Sequence, residues 1–293
     1  NMNANELISN RSNEILGEPI GLRKPVHPND HVNRGQSSND VIPTAIHVAN
    51  RVELPSLVDA VKQLERSFRM KADEFSEVVK IGRTHLQDAV PMTVGQEFDG
   101  FAVQMKKGAE RLERTMANLE EHALGGTAVG TGLNAHPDFA ARAIAGIAKE
   151  TGIPFRAAES RFEAIANRDA QVELAGAMNS LAVSLMKIAN DLRLLASGPR
   201  AALGEIVLPE LQPGSSIMPG KVNPVIPEMI IQVAAHIIGK TASITTAGQN
   251  APLELNMMNP LIAHETLSGI SLLRESCLAF AGRCVDEIGR AHV

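Results

Sequence analysis

The chain has 293 residues, 44% of them hydrophobic, a formal net charge of −5 and two cysteines. That length suits one large domain or two ordinary ones with a sizeable core, and the acidic balance argues against nucleic acid or a membrane surface as the main partner. Trp and Tyr are absent and aromatics make up 3%, which removes the stacking platforms that single-stranded nucleic acid uses.

No stretch reads as a signal peptide, and no long uncharged apolar run suggests a membrane span. The chain opens at Asn1 without an initiator methionine, so its true N-terminus is expected further upstream. A cytoplasmic location is expected, with the mitochondrial matrix left open.

The first polar cluster is His27-Pro28-Asn29-Asp30. It lacks metal-ligand spacing. His27 and His31 are four apart, but Pro28 is expected to break the helix that would put them on one face, so no zinc is expected. Gln36-Ser37-Ser38-Asn39-Asp40 precedes a long helical pattern over 40–75, with Pro55 as a kink point. Ser37, Ser38 and Asn39 suit a helix cap. A contact to a ligand carboxylate is compatible with that role, because free N–H groups at a helix start bind anions.

Gly82-Arg83-Thr84-His85-Leu86-Gln87-Asp88 is bounded by Gly82 and Pro91 and reads as a polar loop feeding a helix. Thr93 and Gln96 form a capping box, predicting a helix from there to about His122. Residues 125–136 are glycine-rich, but no strand precedes them and no glycine-lysine-hydroxyl ending follows. A tight interhelix turn therefore fits better than a nucleotide loop. Pro137 and Gly152 bracket the next helix.

Over 169–196, Leu174, Met178, Leu181, Leu185, Ile188, Leu192 and Leu195 recur at alternating spacings of four and three. This is a heptad stripe. Ala175, Ala182, Ala189 and Ala196 form a second stripe that lets a neighbouring helix approach, so this helix belongs inside a bundle. Residues 225–247 are apolar nearly all round, and Pro260 opens a last helix to about Glu287. The helices show more apolar surface than one chain can cover, which predicts an oligomer. Cys277 and Cys284 lie two turns apart, roughly 10 Å along the axis, too far for a disulfide.

From Ser197 to Pro224 no helical period is visible, and loops of that length in a compact domain are usually functional or disordered. Within it, Gly214-Ser215-Ser216-Ile217-Met218-Pro219-Gly220-Lys221-Val222-Asn223-Pro224 packs two hydroxyls, an ammonium and an amide. Lys221 and Asn223 suit a dicarboxylate, because donors already in place stabilise charge that flows onto a carboxylate when the adjacent carbon loses a proton. Ser215 is a base only if its oxyanion is stabilised by loop N–H groups and Lys221. Glu228 is the only charge between Lys221 and Lys240. It is either a structural partner for an arginine or a carboxylate that fixes and activates His85.

These clusters together resemble the fumarase/aspartase superfamily over essentially the whole chain. The loop 214–224 is the family's signature, and Asn190-Asp191-Leu192-Arg193 and Leu253-Glu254-Leu255-Asn256 also match. The resemblance implies an all-α, long-helix bundle that is the central domain of a homotetramer. It assigns 1–38 to the end of an N-terminal domain and linker, 39–288 to the bundle and 289–293 to the start of a C-terminal domain.

It further implies active sites shared by three subunits and no metal or organic cofactor. By carry-over, Ser215 takes the C3 proton and His85 with Glu228 handles water. Ser37, Ser38, Asn39, Thr84, Ser216, Lys221 and Asn223 contact the substrate. His27, Pro28, Asn29 and Asp30 match a second anion site. Within the superfamily, Gln36–Asp40, His27–Asp30 and Thr84-His85 look like class II fumarase. Pro224–Glu228 and Met257–Pro260 lean toward aspartate ammonia-lyase, which stays the alternative, alongside a non-catalytic helical scaffold.

Overall fold

The computed structural model describes residues 1–290. Helices carry most of the regular structure: α1 (Met2–Ile15), α2 (Ser38–Glu74), α3 (Val94–Thr115), α4 (Phe139–Thr151), α5 (Arg161–Ala166), α6 (Asp169–Leu195), α7 (Val225–Gly248) and α8 (Asn259–Arg283). Among the described residues the strands are short and pair two by two. These pairs are β1 (Val79–Thr84) with β2 (Gln87–Thr93), β3 (Glu121–His122) with β4 (Arg156–Ala157), and β5 (Ile206–Val207) with β6 (Gly289–Arg290). The all-α expectation holds. Of the expected segment 289–293, residues 291–293 lie outside the described residues.

The chain divides into two compact units, each assembled from separated stretches. One comprises Asn1–Val52, Met116–Gln171 and Thr245–His264; the other comprises Glu53–Thr115, Val172–Ile244 and Glu265 onward.

In the second unit the heptad stripe of α6 is the core. Leu174, Leu181, Ile188 and Leu192 are fully buried, and Met178, Leu185 and Leu195 nearly so. Each such side chain contributes about 1.5–3 kcal/mol relative to exposure. Leu54, Leu57, Val61, Leu64 and Phe68 of α2 and Phe98, Phe101, Met105 and Leu112 of α3 are equally buried. Phe68 meets Phe101 at 5.7 Å and Phe280 at 5.9 Å, both edge-on. α6 is long and apolar enough to cross a bilayer by length and composition, but its apolar stripe is spent on this core. Cys277 and Cys284 are both buried free thiols, and burial pushes each up to about 12.

The α3 capping box forms as expected. The Gln96 N–H donates to Thr93 Oγ1 at 3.1 Å and the Thr93 N–H to Gln96 Oε1 at 3.0 Å. The helix does not reach His122, however. It stops at Thr115, whose hydroxyl turns back onto the Leu112 carbonyl at 2.8 Å, a local bond that competes with helix continuation. The chain tightens into a 3-10 turn over Met116–Glu120, and His122 joins β3, its ring stacked on Phe155 at 4.5 Å.

In the first unit the start of α2 is fixed by a buried carboxylate. The Asn39 N–H donates to Ser37 Oγ at 3.1 Å and the Ser37 N–H to Asp40 Oδ1 at 3.0 Å, so Ser37 and Asp40 form a capping box. Asp40 Oδ2 accepts the Gly125 and Thr127 N–H groups, each at 2.9 Å. The glycine-rich stretch is thus held by a side chain far away in sequence; the two-residue strand β3 does precede it, a correction to the expectation, but no glycine-lysine-hydroxyl ending follows. α4 begins two residues later than expected: Pro137 stays outside, Asp138 stands at its N-cap and Phe139 opens it, and Gly152 ends it in the left-handed region at φ 71°. Pro28 also departs from expectation. It opens a short π-type helical turn over Pro28–Val32 instead of breaking one, and the His27 N–H donates to His31 Nδ1 at 2.8 Å.

This unit also encloses His47, His122 and Arg168. Burial, then the positive Arg168 and His122 nearby, lower His47 to about 3, against bonds to the Glu121 and Leu119 carbonyls. Burial lowers His122 to about 4 and Arg168 to about 10.

Two predictions follow from these buried groups. Both imidazoles titrate below their unfolded value of about 6.5, so the unfolded chain binds more protons between there and about 4. Stability is then full above pH 6.5 and declines as pH falls. Urea midpoints measured against pH should show this slope, and His122→Phe should reduce it. Asp40→Asn should cost about 1–3 kcal/mol, because in either orientation its amide NH₂ would face an N–H donor, that of Ser37 or those of Gly125 and Thr127; the same urea titration at pH 7 measures the loss.

Candidate functional site

The stretch around His85 is a β-hairpin, a correction to the expected loop. His85 and Leu86 sit at its tip with φ of 55° and 60°, the two left-handed residues of a tight two-residue hairpin turn. Thr84 and His85 are exposed. Gly82 is required by close approach: a Cβ there would lie 2.9 Å from the Val90 carbonyl oxygen.

The long connection after α6 is fastened at its start and folded at its end. The Glu205 N–H donates to the Leu195 carbonyl and the Gly204 N–H to the Ser197 carbonyl, both at 2.8 Å. β5 then pairs with β6. Further on, the Gly214 N–H donates to the Lys221 carbonyl at 2.9 Å, closing a small ring of chain. Only glycine fits at 214, since a Cβ would stand 2.4 Å from the Lys221 carbonyl oxygen. Asn223 Nδ2 reaches the Gly214 carbonyl at 3.4 Å, and the Glu228 N–H donates to the Pro224 carbonyl at 3.0 Å as α7 begins.

A cavity of about 840 Å³ opens beside this loop. Asn190 and Arg193 of α6, Ile206 of β5, and Lys221, Asn223 and Glu228 line it. With Glu210 also on the wall, two cations, two amides and two carboxylates therefore converge on one space within one unit. Asn190 and Arg193 matched the family pattern in sequence, but nothing in their spacing marked them as cavity residues. Their place follows from the four-residue phase of α6, which turns its polar side at the last turns toward the returning loop.

The remaining expected residues are arranged as follows. Ser215 is half-buried on the ring, its Oγ accepting the Ile217 N–H at 3.3 Å, and Ser216 is exposed. Neither lines the cavity, and neither do Thr84 and His85. The structure thus brings Lys221, Asn223 and Glu228 together and leaves His85 unpaired with Glu228 in a single chain. In the other unit, Ser38 is exposed and Ser37 serves as cap. Asn39 Nδ2 donates to the Ala128 carbonyl at 2.9 Å. Pro28 is buried while Asn29 and Asp30 are exposed. His27 Nδ1 accepts the Asn29 and Asp30 N–H groups at 3.3 and 3.2 Å.

A protein-family profile described as lyase matches residues 1–239. The chain is 51% identical over 286 residues to the mitochondrial fumarate hydratase of Rattus norvegicus, covering 97% of this chain and 56% of that protein. It is 52% identical over 285 residues to the class II fumarate hydratase of Neisseria meningitidis, covering 97% and 62%. Among solved structures, a class II fumarase from Schistosoma mansoni superposes with a TM-score of 0.96 at 40% identity, covering 99% of this chain and 64% of that one. The native form of a fumarate lyase:delta crystallin from Brucella melitensis gives 0.92 at 46%, covering 98% and 65%. The chain thus spans somewhat more than half the length of these relatives. With its signature ring closed on Gly214 and its long-helix core, the chain belongs to the lyase family, on its class II fumarase branch within the fumarase/aspartase superfamily.

Proposed function

We propose that the protein carrying this chain is a fumarate hydratase, catalysing reversible anti addition of water to fumarate to give L-malate. The observation that carries this reading is the cavity in which Lys221, Asn223 and Arg193 meet Glu228 beside the Gly214 ring. In the malate-to-fumarate direction, Ser215 removes a C3 proton and the electron pair delocalises onto the adjacent carboxylate. Lys221 and Asn223 are the donors placed to stabilise that aci-carboxylate, an interaction stronger in the transition state than in the ground state. Water then departs from C2, with His85 and Glu228 managing its proton. Ser37, Ser38, Asn39, Thr84 and Ser216 bind the substrate, and His27, Pro28, Asn29 and Asp30 form a second anion site. No metal or organic cofactor enters this scheme.

His85 stands exposed at a hairpin tip and Ser216 on an exposed loop, an arrangement that suits a site completed by neighbouring copies. Val183 of α6 is 52% exposed and Ile238 of α7 39% exposed, leaving apolar helix surface for such copies. We therefore read the assembly as a homotetramer with sites shared by three subunits. The named relatives come from a mitochondrion and a bacterium, and the location assigned here is cytoplasmic or matrix.

Incubation with fumarate should remove its ultraviolet absorbance without added ammonia and yield malate. Loss only with ammonia, yielding aspartate, would replace this reading with the ammonia-lyase one. Ser215→Ala should lower kcat by about 100-fold or more while the assembly seen by size-exclusion chromatography is unchanged. Gly214→Ala should weaken dicarboxylate binding in a calorimetric titration, because the ring that presents Lys221 and Asn223 cannot close.

A further inference from the structure

The hairpin and the cavity wall are joined by a cluster of charges that the scheme above does not use. Arg83 Nη2 lies 2.6 Å from Glu205 Oε1, and Lys80 Nζ lies 3.0 Å from Glu205 Oε2. Lys80 also pairs with Glu97 of α3, and Arg83 Nε faces Asp88 at 3.8 Å. The side chains of Lys80, Glu205 and Arg83 are 6%, 16% and 19% exposed. Pairs so enclosed are not the solvent-screened kind that contributes little. Removing one partner leaves the others buried and uncompensated.

The backbone around these residues is specialised in the same sense. Residues three apart on a regular strand point to opposite faces, yet Lys80 and Arg83 converge on one carboxylate. Between Ile81 and Arg83 the β1–β2 register shifts, and such a bulge adds local twist and re-aims side chains. Gly82 sits at that shift, where a Cβ would strike the Val90 carbonyl. On the other side, Glu205 is anchored to the end of α6 through its own N–H, and its neighbour Ile206 lines the cavity.

We infer that Glu205 is a positioning residue: through Arg83 and Lys80 it latches the hairpin that presents Thr84 and His85 onto the wall of the Lys221 cavity. This rests on the hydratase reading for its catalytic consequence, but not for its structural one. Burial raises the Glu205 carboxyl, yet its bonds to Arg83 and Lys80 prevail and hold it below the ordinary range. The latch is therefore charged at neutral pH. It fixes a segment whose tip residues, Thr84, His85 and Leu86, are exposed, in keeping with the tolerance of about 0.5 Å that productive site geometry demands.

The test compares the wild type with Glu205→Gln and Arg83→Gln. Amide hydrogen exchange over 84–92 should accelerate about tenfold in both variants, the loss of one charge-assisted bond, while exchange in α6 stays unchanged. Turnover of fumarate by the protein carrying the chain should fall up to about 100-fold in kcat, with KM nearly constant, and Arg83→Lys should restore part of it. Unchanged hairpin exchange would overturn the inference, as would a drop in α6 protection with kcat per folded molecule retained. If Glu205→Gln does not fold, Arg83→Gln decides, because it leaves the Lys80–Glu205 pair in place. If the wild type shows no fumarate turnover, the hydratase reading fails and the exchange data alone judge the latch.

Discussion

The burial of one face of α6 is the constraint on which the second unit depends. Its seven-residue seam, from Leu174 to Leu195, has no freedom to rotate without exposing leucines. That fixes the phase of the helix, and the phase fixes where Asn190 and Arg193 point. It also fixes the last carbonyl groups, and the Leu195 carbonyl receives Glu205. A chain segment without helical period thereby acquires a defined starting point. The cavity and its charged loop are consequences of an apolar pattern that contains no chemistry itself.

Much of this was legible in the residues. The α6 stripe, the Thr93–Gln96 box and the special loop at 214–224 all rest on short-range rules. The hairpin was not legible. Its turn residues, His85 and Leu86, are neither glycine nor asparagine, so the usual sign of left-handed backbone is missing. Its polar pattern around Arg83 and Asp88 resembles a solvated loop, because Glu205, the partner that Lys80 and Arg83 share, lies over 100 positions away in sequence. The end of α3 was hidden for a similar reason. His122 leaves the helical path to stack on Phe155, a choice made by tertiary packing. Of the site, sequence named Lys221, Asn223 and Glu228 as a group, and the cavity gathers them. It could not name Arg193 as their neighbour, since that follows only from helix phase and loop return together.

Charge is buried in two ways, against a counter-charge and against backbone groups. In the second unit, the cations Lys80 and Arg83 are matched by carboxylates, and Lys240 pairs with Glu265 at 2.6 Å. In the first unit, Asp40 is held by backbone N–H groups, and Arg168 bonds backbone carbonyls of Ala164 and Ile165. Peptide dipoles replace counter-charges at those two groups, while in the same unit Arg51 is matched by the Glu120 carboxylate at 3.0 Å.

The two cysteines have a practical corollary. Both thiols are inside α8 or at its end, inaccessible, and held in the protonated form far above neutral pH. Alkylating reagents attack the thiolate, so the folded chain presents no reactive sulfur to them. Ile217, at the crest of the Gly214 ring, is 84% exposed. A cysteine placed there would be the single labelling point on an otherwise silent background. The motion of the loop could be followed by a fluorophore without first stripping the native thiols from the core.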